Sequence, residues 1–489
     1  MCGNHKQGSS FKMDASGTIP FILAAGTGKE PQDPDTRKFI RRHVMLGKNR
    51  GKVIPHRRKP TRKAKATIGS SIQQSSLPLS QEASLSKIPP QIGSDLSSLA
   101  WADSVDISTI AGIMEFSNFT KKSMYKIEIY IDFPRKDIQW LEPMLSDAAW
   151  LHIMAFSSRA FFDVLQRRST QLTDHWASPH FASALRLLRE RLLGDDQSDA
   201  ITNSTIQVVI ALATHASLQG QYEVAKCHML GLQRIVELRG GIDAFRSYPK
   251  LILTILRSDI GLSLHSGTAP LFSQDPLADH QWPYPQTAFS HIQDDYYPNI
   301  LFSVSSSSLD CLDHELNQAW RVLRSFSLQV NNAAFTNSRL SRELLLDTMT
   351  SVMYRLLYLR FTPASLNEVV RLSLLAFCSG VFIQWQQGIP MGPTYFPISF
   401  QESLAHFRRA DDLPYFMLWV LMVGAMAVFS EDDNMWLRPW LKTNMKLCGV
   451  DSWNGMRAIL HSFLWIDMVH EYPAHGIFAE IFTMDRITG

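Results

Sequence analysis

The sequence predicts an all-α protein: an irregular helical bundle or solenoid of antiparallel helix pairs, with a disordered N-terminal region. Three observations carry this. From about residue 101 onward, apolar residues recur at three- and four-residue spacing with almost no alternating stretches. At 489 residues, 45% apolar, with twelve Trp and twenty-seven Phe, the chain can bury one large core or a few smaller ones. By contrast, 1–32 is polar and Gly-rich and 66–100 holds ten Ser with few charges or aromatics, compositions that bury too little apolar surface to offset chain entropy. The chain thus reads as a flexible N-terminus (1–32), a short basic helix and arm (33–65), a Ser-rich disordered linker (66–100) and an all-helical body (101–489).

In chain order, the body opens with a strand-like exception. The alternation in YKIEIYIDFP (125–134) predicts a short β-piece or an extended connector. Helical periodicity then runs over 141–169, 179–193, 200–219, 221–239 and 248–265. The pair within 200–242 reads as an antiparallel hairpin, broken at Gln219 and Gly220 and stopped by Gly240 and Gly241. Between 268 and 308, GTAPLFSQDP, WPYPQ and SVSSSSLD predict a long surface loop that divides the body into two lobes of one domain. Further helices are expected over 309–330, 340–360, 365–388, 413–430 and 452–470. The segment LPYFMLWVLMVGAMAVFS (413–430) only just reaches spanning length and is flanked by RRADD and EDD, so it reads as a core helix and no membrane partner is expected.

Charge is segregated. Of 48 Lys and Arg, thirteen lie between Arg37 and Lys65, a stretch without one acid, which leaves 35 against 45 Asp and Glu elsewhere. The body is therefore acidic while the whole chain carries +3. Asp33 and Pro34 suit a helix start, and at about 100° per residue Arg37, Lys38, Arg41 and Arg42 share one arc opposite Phe39, Ile40, His43 and Val44. Beyond them Lys48, Arg50, Lys52, Arg57, Arg58, Lys59, Arg62, Lys63 and Lys65 sit among Gly and Pro that resist regular structure. Clustered flexible cations are what a nuclear import receptor reads, and they also attract a polyanion by releasing its counterions. Aromatic residues for base stacking are absent from 40–65, which argues against single-strand and RNA recognition.

Signs of catalysis and metal binding are missing. There is no GxSxG elbow, P-loop, GxGxxG or HExxH motif, so neither an enzyme nor a cofactor is expected. Cys2, His5, His43 and His56 match no compact zinc module. The five cysteines (Cys2, Cys227, Cys311, Cys378, Cys448) are scattered, and no secretory signal is apparent, which together point to reduced, mostly buried thiols in an intracellular compartment. His228 shares a stripe with Ala225, Leu232 and Ile235 and reads as a core or boundary histidine, with Cys227 beside it a small buried residue. The acids of GDDQSD and SEDDN read as turns and caps.

The order KCHMLGLQRIVELRGGI (226–242), ILRSDIGLSLHSGTAPLF (255–272), NEVVRLSLLAFCSGVF (367–382), FMLWVLMVGAMAVFSEDDNMWL (416–437) and SWNGMRAILHSFLW (452–465) resembles the fungal-specific transcription factor domain family. That region is the helical regulatory part of fungal zinc-cluster regulators. The N-terminal FILAAGTGKEPQDPDTRKFIRRHVM resembles a subgroup without the cluster, sometimes labelled tachykinin family protein. The resemblance implies a nuclear regulator of transcription with an all-helical body, and the grooves of such a helical scaffold are expected to take other regulators, a homodimer mate or an effector. One departure matters: the family's DNA reader holds two zinc ions on six cysteines within about thirty residues, whereas this chain has only Cys2 near its N-terminus. Alternatives left open are a helical scaffold without a transcriptional role, a truncated zinc-cluster DNA binder, and an enzyme whose site is assembled from dispersed helices.

Overall fold

Asp106 starts the first helix, α1 (Ile107–Phe119), by accepting from the Thr109 amide at 2.9 Å and from the Ser108 and Thr109 hydroxyls. In this computed structural model the described residues are 99–133, 141–165, 178–194, 197–273, 282–285, 312–383, 394–407, 413–430 and 433–488. They are almost entirely helical, as the periodicity predicts. The segments proposed as a flexible N-terminus, basic arm and, but for its last two residues, Ser-rich linker lie outside the described residues, as does most of the predicted 268–308 loop.

After α1 a π-helical turn (Thr120–Met124) and a 3-10 turn (Lys126–Tyr130) lead into a two-residue strand, β1 (Ile131–Asp132). The alternation at 125–134 therefore becomes mostly 3-10 turn: Ile127 and Ile131 face the core while Ile129 is exposed. β1 pairs in parallel with β2 (Leu340–Ser341), Ile131 opposite Leu340.

One helix expected over 141–169 is two, α2 (Glu142–Ser146) and α3 (Ala148–Leu165). Asp147 breaks it: in extended conformation, its carboxylate accepts from Trp150 N at 3.0 Å and pairs with Arg191 at 2.8 Å. Next come α4 (Pro179–Leu193), α5 (Gln197–Ala200) and the predicted hairpin of α6 (Asn203–Leu218) and α7 (Tyr222–Leu238). Its turn forms where expected, Gly220 taking φ +71° to close α6, a region costly to any residue with a Cβ.

A 3-10 turn (Ile242–Phe245) precedes α8 (Pro249–Ser266), and α9 (His314–Thr336) and β2 lead to α10 (Arg342–Tyr358). α11 (Leu366–Cys378) ends in a second π-helical turn, Ser379–Ile383; α12 (Tyr395–His406) and α13 (Pro414–Ala427) follow. Every residue from Phe416 to Gly424 is buried, and a helix apolar all round belongs in the middle of a core. The stretch Leu366–Ile383 is long and apolar enough to cross a membrane, but 89% of it is buried inside the fold. One contiguous cluster of buried residues runs from Ile127 to Ile481, and a small second one joins α1, α2 and α3 through Ile110, Ile113, Met144 and Leu151.

The periodicity missed α1, α12 and α14 (Asn434–Leu447), the last carrying Pro439 within it. The helix expected over 452–470 is α15 (Trp453–His461) and the start of α16 (Asp467–Thr488). The intervening bend is buried, yet its carbonyls are met: Arg324 donates to Ser462 O, Trp419 Nε1 to Leu464 O at 3.0 Å and Asn331 to Trp465 O at 2.9 Å. A helix break in a core survives only when such donors replace the lost ladder.

Candidate functional site: a cavity at Lys126 and His470

The thirteen cations from Arg37 to Lys65, and His5, His43 and His56, lie outside the described residues. Within the body, a cavity of about 120 Å³ opens where the Lys126 turn, the π turn after α11, α13 and α16 meet. Phe377, Val423, Met426 and Val469 wall it; Lys126, His470 and Tyr472 are its polar side chains.

Local chemistry places Lys126. The π turn ends with Tyr125 N donating back to Thr120 O at 3.2 Å, and the 3-10 turn that follows is anchored on both sides of the lysine. Ile127 is buried next to it, and Glu128 accepts from Arg257 of α8 at 2.6 Å, with the guanidinium 4.4 Å above the Tyr125 ring. The half-buried ammonium is pushed below the usual lysine range by desolvation alone, and among the described residues no acid pairs with it.

His470 is 3% exposed and lies against the rings of Trp465 and Phe377, at 4.9 and 5.2 Å. Burial, and then the charge of Lys126, push it down to about 3, so it is neutral at physiological pH. Its Nδ1 accepts from Ile466 N at 3.0 Å, which leaves the proton on Nε2. Pro473, also in the lining, has no N–H, so the Val469 carbonyl lacks its usual donor four residues on. On the facing side the π turn brings Gly380 to the cavity.

One cation, one neutral imidazole and apolar walls suit a small acid with an apolar tail. A dry cavity of about 150 Å³ accommodates a benzene ring, so this smaller one of about 120 Å³ fits a short acyl acid and not an aryl one. Its lining holds no thiol or carboxylate. The sequence offered no sign of it, because Lys126 and His470 belong to elements far apart in the chain and each looks unremarkable in its own segment.

Elsewhere, His228 is a half-buried boundary residue pushed down to about 4 by burial. The expectation for Cys227 is corrected: it is exposed, since α7 turns Ala225, Met229, Leu232 and Ile235 inward and carries Cys227 away from that stripe. Partial burial and Glu223 still raise its thiol against the pull of Lys226. Asp433 sits in a turn as predicted, its carboxylate accepting from Ser430 N at 2.8 Å and from Trp436 Nε1 at 3.2 Å, but it makes no side-chain cap on α14. No family model, no curated protein and no solved structure matches the chain.

Proposed function

We propose that this chain regulates transcription in the nucleus, acting by protein binding through its helical body. The cations from Arg37 to Lys65 are the address read by a nuclear import receptor and a weak, sequence-independent contact with DNA. Other regulators or a second copy of the chain are the body's partners. The observation that carries this is the segregation of charge: thirteen cations without one acid precede an acidic body. The resemblance to the fungal-specific transcription factor domain agrees with it, as does a body built of packed helices, whose grooves suit partner helices. The Lys126 cavity then serves a small acidic ligand that steadies the body.

Fusing residues 30–66 to a fluorescent protein tests the address. Nuclear accumulation, lost when the thirteen cations become Gln, is expected. A diffuse cytoplasmic signal from the unaltered fusion would sink the proposal and favour a helical scaffold without a transcriptional role.

A further inference from the structure

The geometry points to a divalent-cation site, with zinc as its natural occupant, formed by His461, Asp467 and Glu471 where α15 passes into α16. His461 comes from the last turn of α15, Asp467 opens α16, and Glu471 lies one helical turn further along the same face. One donor atom from each converges: His461 Nε2 lies 2.9 Å from Asp467 Oδ1 and 3.9 Å from Glu471 Oε2, and all three are within 4.8 Å of one another. These same three atoms are shielded from solvent and make no well-aligned hydrogen bond, their contacts with one another and with Arg457 being ion pairs at 2.9–3.9 Å. Buried polar atoms are rarely left so; a proton on the imidazole would serve His461 and Asp467 alone, whereas an ion at the common centre serves all three.

Magnitudes agree. Zinc binds imidazole nitrogen and carboxylate oxygen at about 2.0–2.2 Å, which puts two donors of one tetrahedral ion about 3.4 Å apart. The observed 2.9 and 3.9 Å bracket that value. With a neutral imidazole the two carboxylates outweigh Arg457, the nearby cation, so the cluster is negative by one charge before an ion enters.

The surroundings orient the ligands. Arg457 Nε and Trp453 Nε1 hold the other oxygen of Glu471, Oε1, at 2.8 and 3.3 Å, which turns Oε2 toward the cluster. Asn331 of α9 accepts from Asp467 N at 3.0 Å and fixes the start of α16. Three protein ligands leave a position open to solvent, and all three side chains are partly exposed, so an ion has a way in. Bound there, it would clip the bend between α15 and α16, just beyond His470 and the cavity.

The full-length chain, stripped with a chelator, is titrated with Co²⁺ and then with Zn²⁺. Expected are visible d–d absorption at one Co²⁺ per chain, bleaching by Zn²⁺ and a higher melting temperature with Zn²⁺ bound. His461→Ala should abolish the absorption, and Glu471→Gln should weaken Co²⁺ binding by at least about tenfold. If His461→Ala fails to fold, the isosteric Glu471→Gln, with circular dichroism matching the unaltered chain, decides alone. Absence of d–d absorption in the unaltered chain, or absorption undiminished in the folded variants, overturns the site and leaves an ion-pair network of His461, Arg457 and the two acids.

Discussion

The Tyr354 hydroxyl of α10 donates to Oδ2 of Asp259 on α8 at 3.0 Å, with both residues buried. The same carboxylate accepts from Leu271 N at 2.8 Å and Phe272 N at 3.0 Å, so one acid ties two helices to the chain that leaves α8. Burial nevertheless dominates these bonds and pushes the Asp259 carboxyl from 3.8 up to about 6.

Because the folded state holds this proton more tightly, its contribution to stability is complete below about pH 4 and is lost as pH rises through about 6. Asp259→Asn does not titrate. In urea unfolding, the stability advantage of the unaltered protein over this variant should therefore shrink between pH 5 and pH 7. A gap that stays constant would show that Asp259 titrates normally.

Gly267 caps α8 at φ +71°, and a Cβ there would lie 2.6 Å from the Tyr395 ring. Gly267→Ala combines left-handed strain with a clash and should cost about 2–4 kcal/mol. Adding Tyr395→Ala should return most of the clash and leave about 1 kcal/mol of strain beyond the tyrosine's own loss. Additive losses in that double-mutant cycle would mean that the ring simply moves aside.

Arg371 is 4% exposed and meets Glu368 through two nitrogens, Nε at 2.8 Å, while its Nη1 donates to Leu356 O at 2.9 Å. Glu368→Ala strands the buried guanidinium and should cost about 3–5 kcal/mol in chemical denaturation. Replacing both residues by Leu should cost less than that single change, since no orphaned charge remains. If the double variant is the weaker protein, the pair itself is a net source of stability.

Lys126→Met should separate stability from binding. Removing a desolvated ammonium without an acid partner among the described residues should raise the unfolding midpoint. The same change should abolish the thermal shift that a short-chain carboxylate gives the unaltered chain. An unchanged shift would place any carboxylate binding away from this cavity.

What the sequence determined by itself is local. The α6–α7 hairpin turns at Gly220, and α13 falls where an uninterrupted apolar run requires burial, because spacing, glycine freedom and hydrophobicity act within a few residues. The helix break at Asp147 is local too, written in a capping acid that apolar spacing does not register. Only the tertiary structure decided the bend between α15 and α16, whose carbonyls depend on Arg324, Trp419 and Asn331, 45 to 138 residues away in the chain. It alone brought Lys126 to His470, and a periodicity confined to one helix carries no record of which distant face will pack against it.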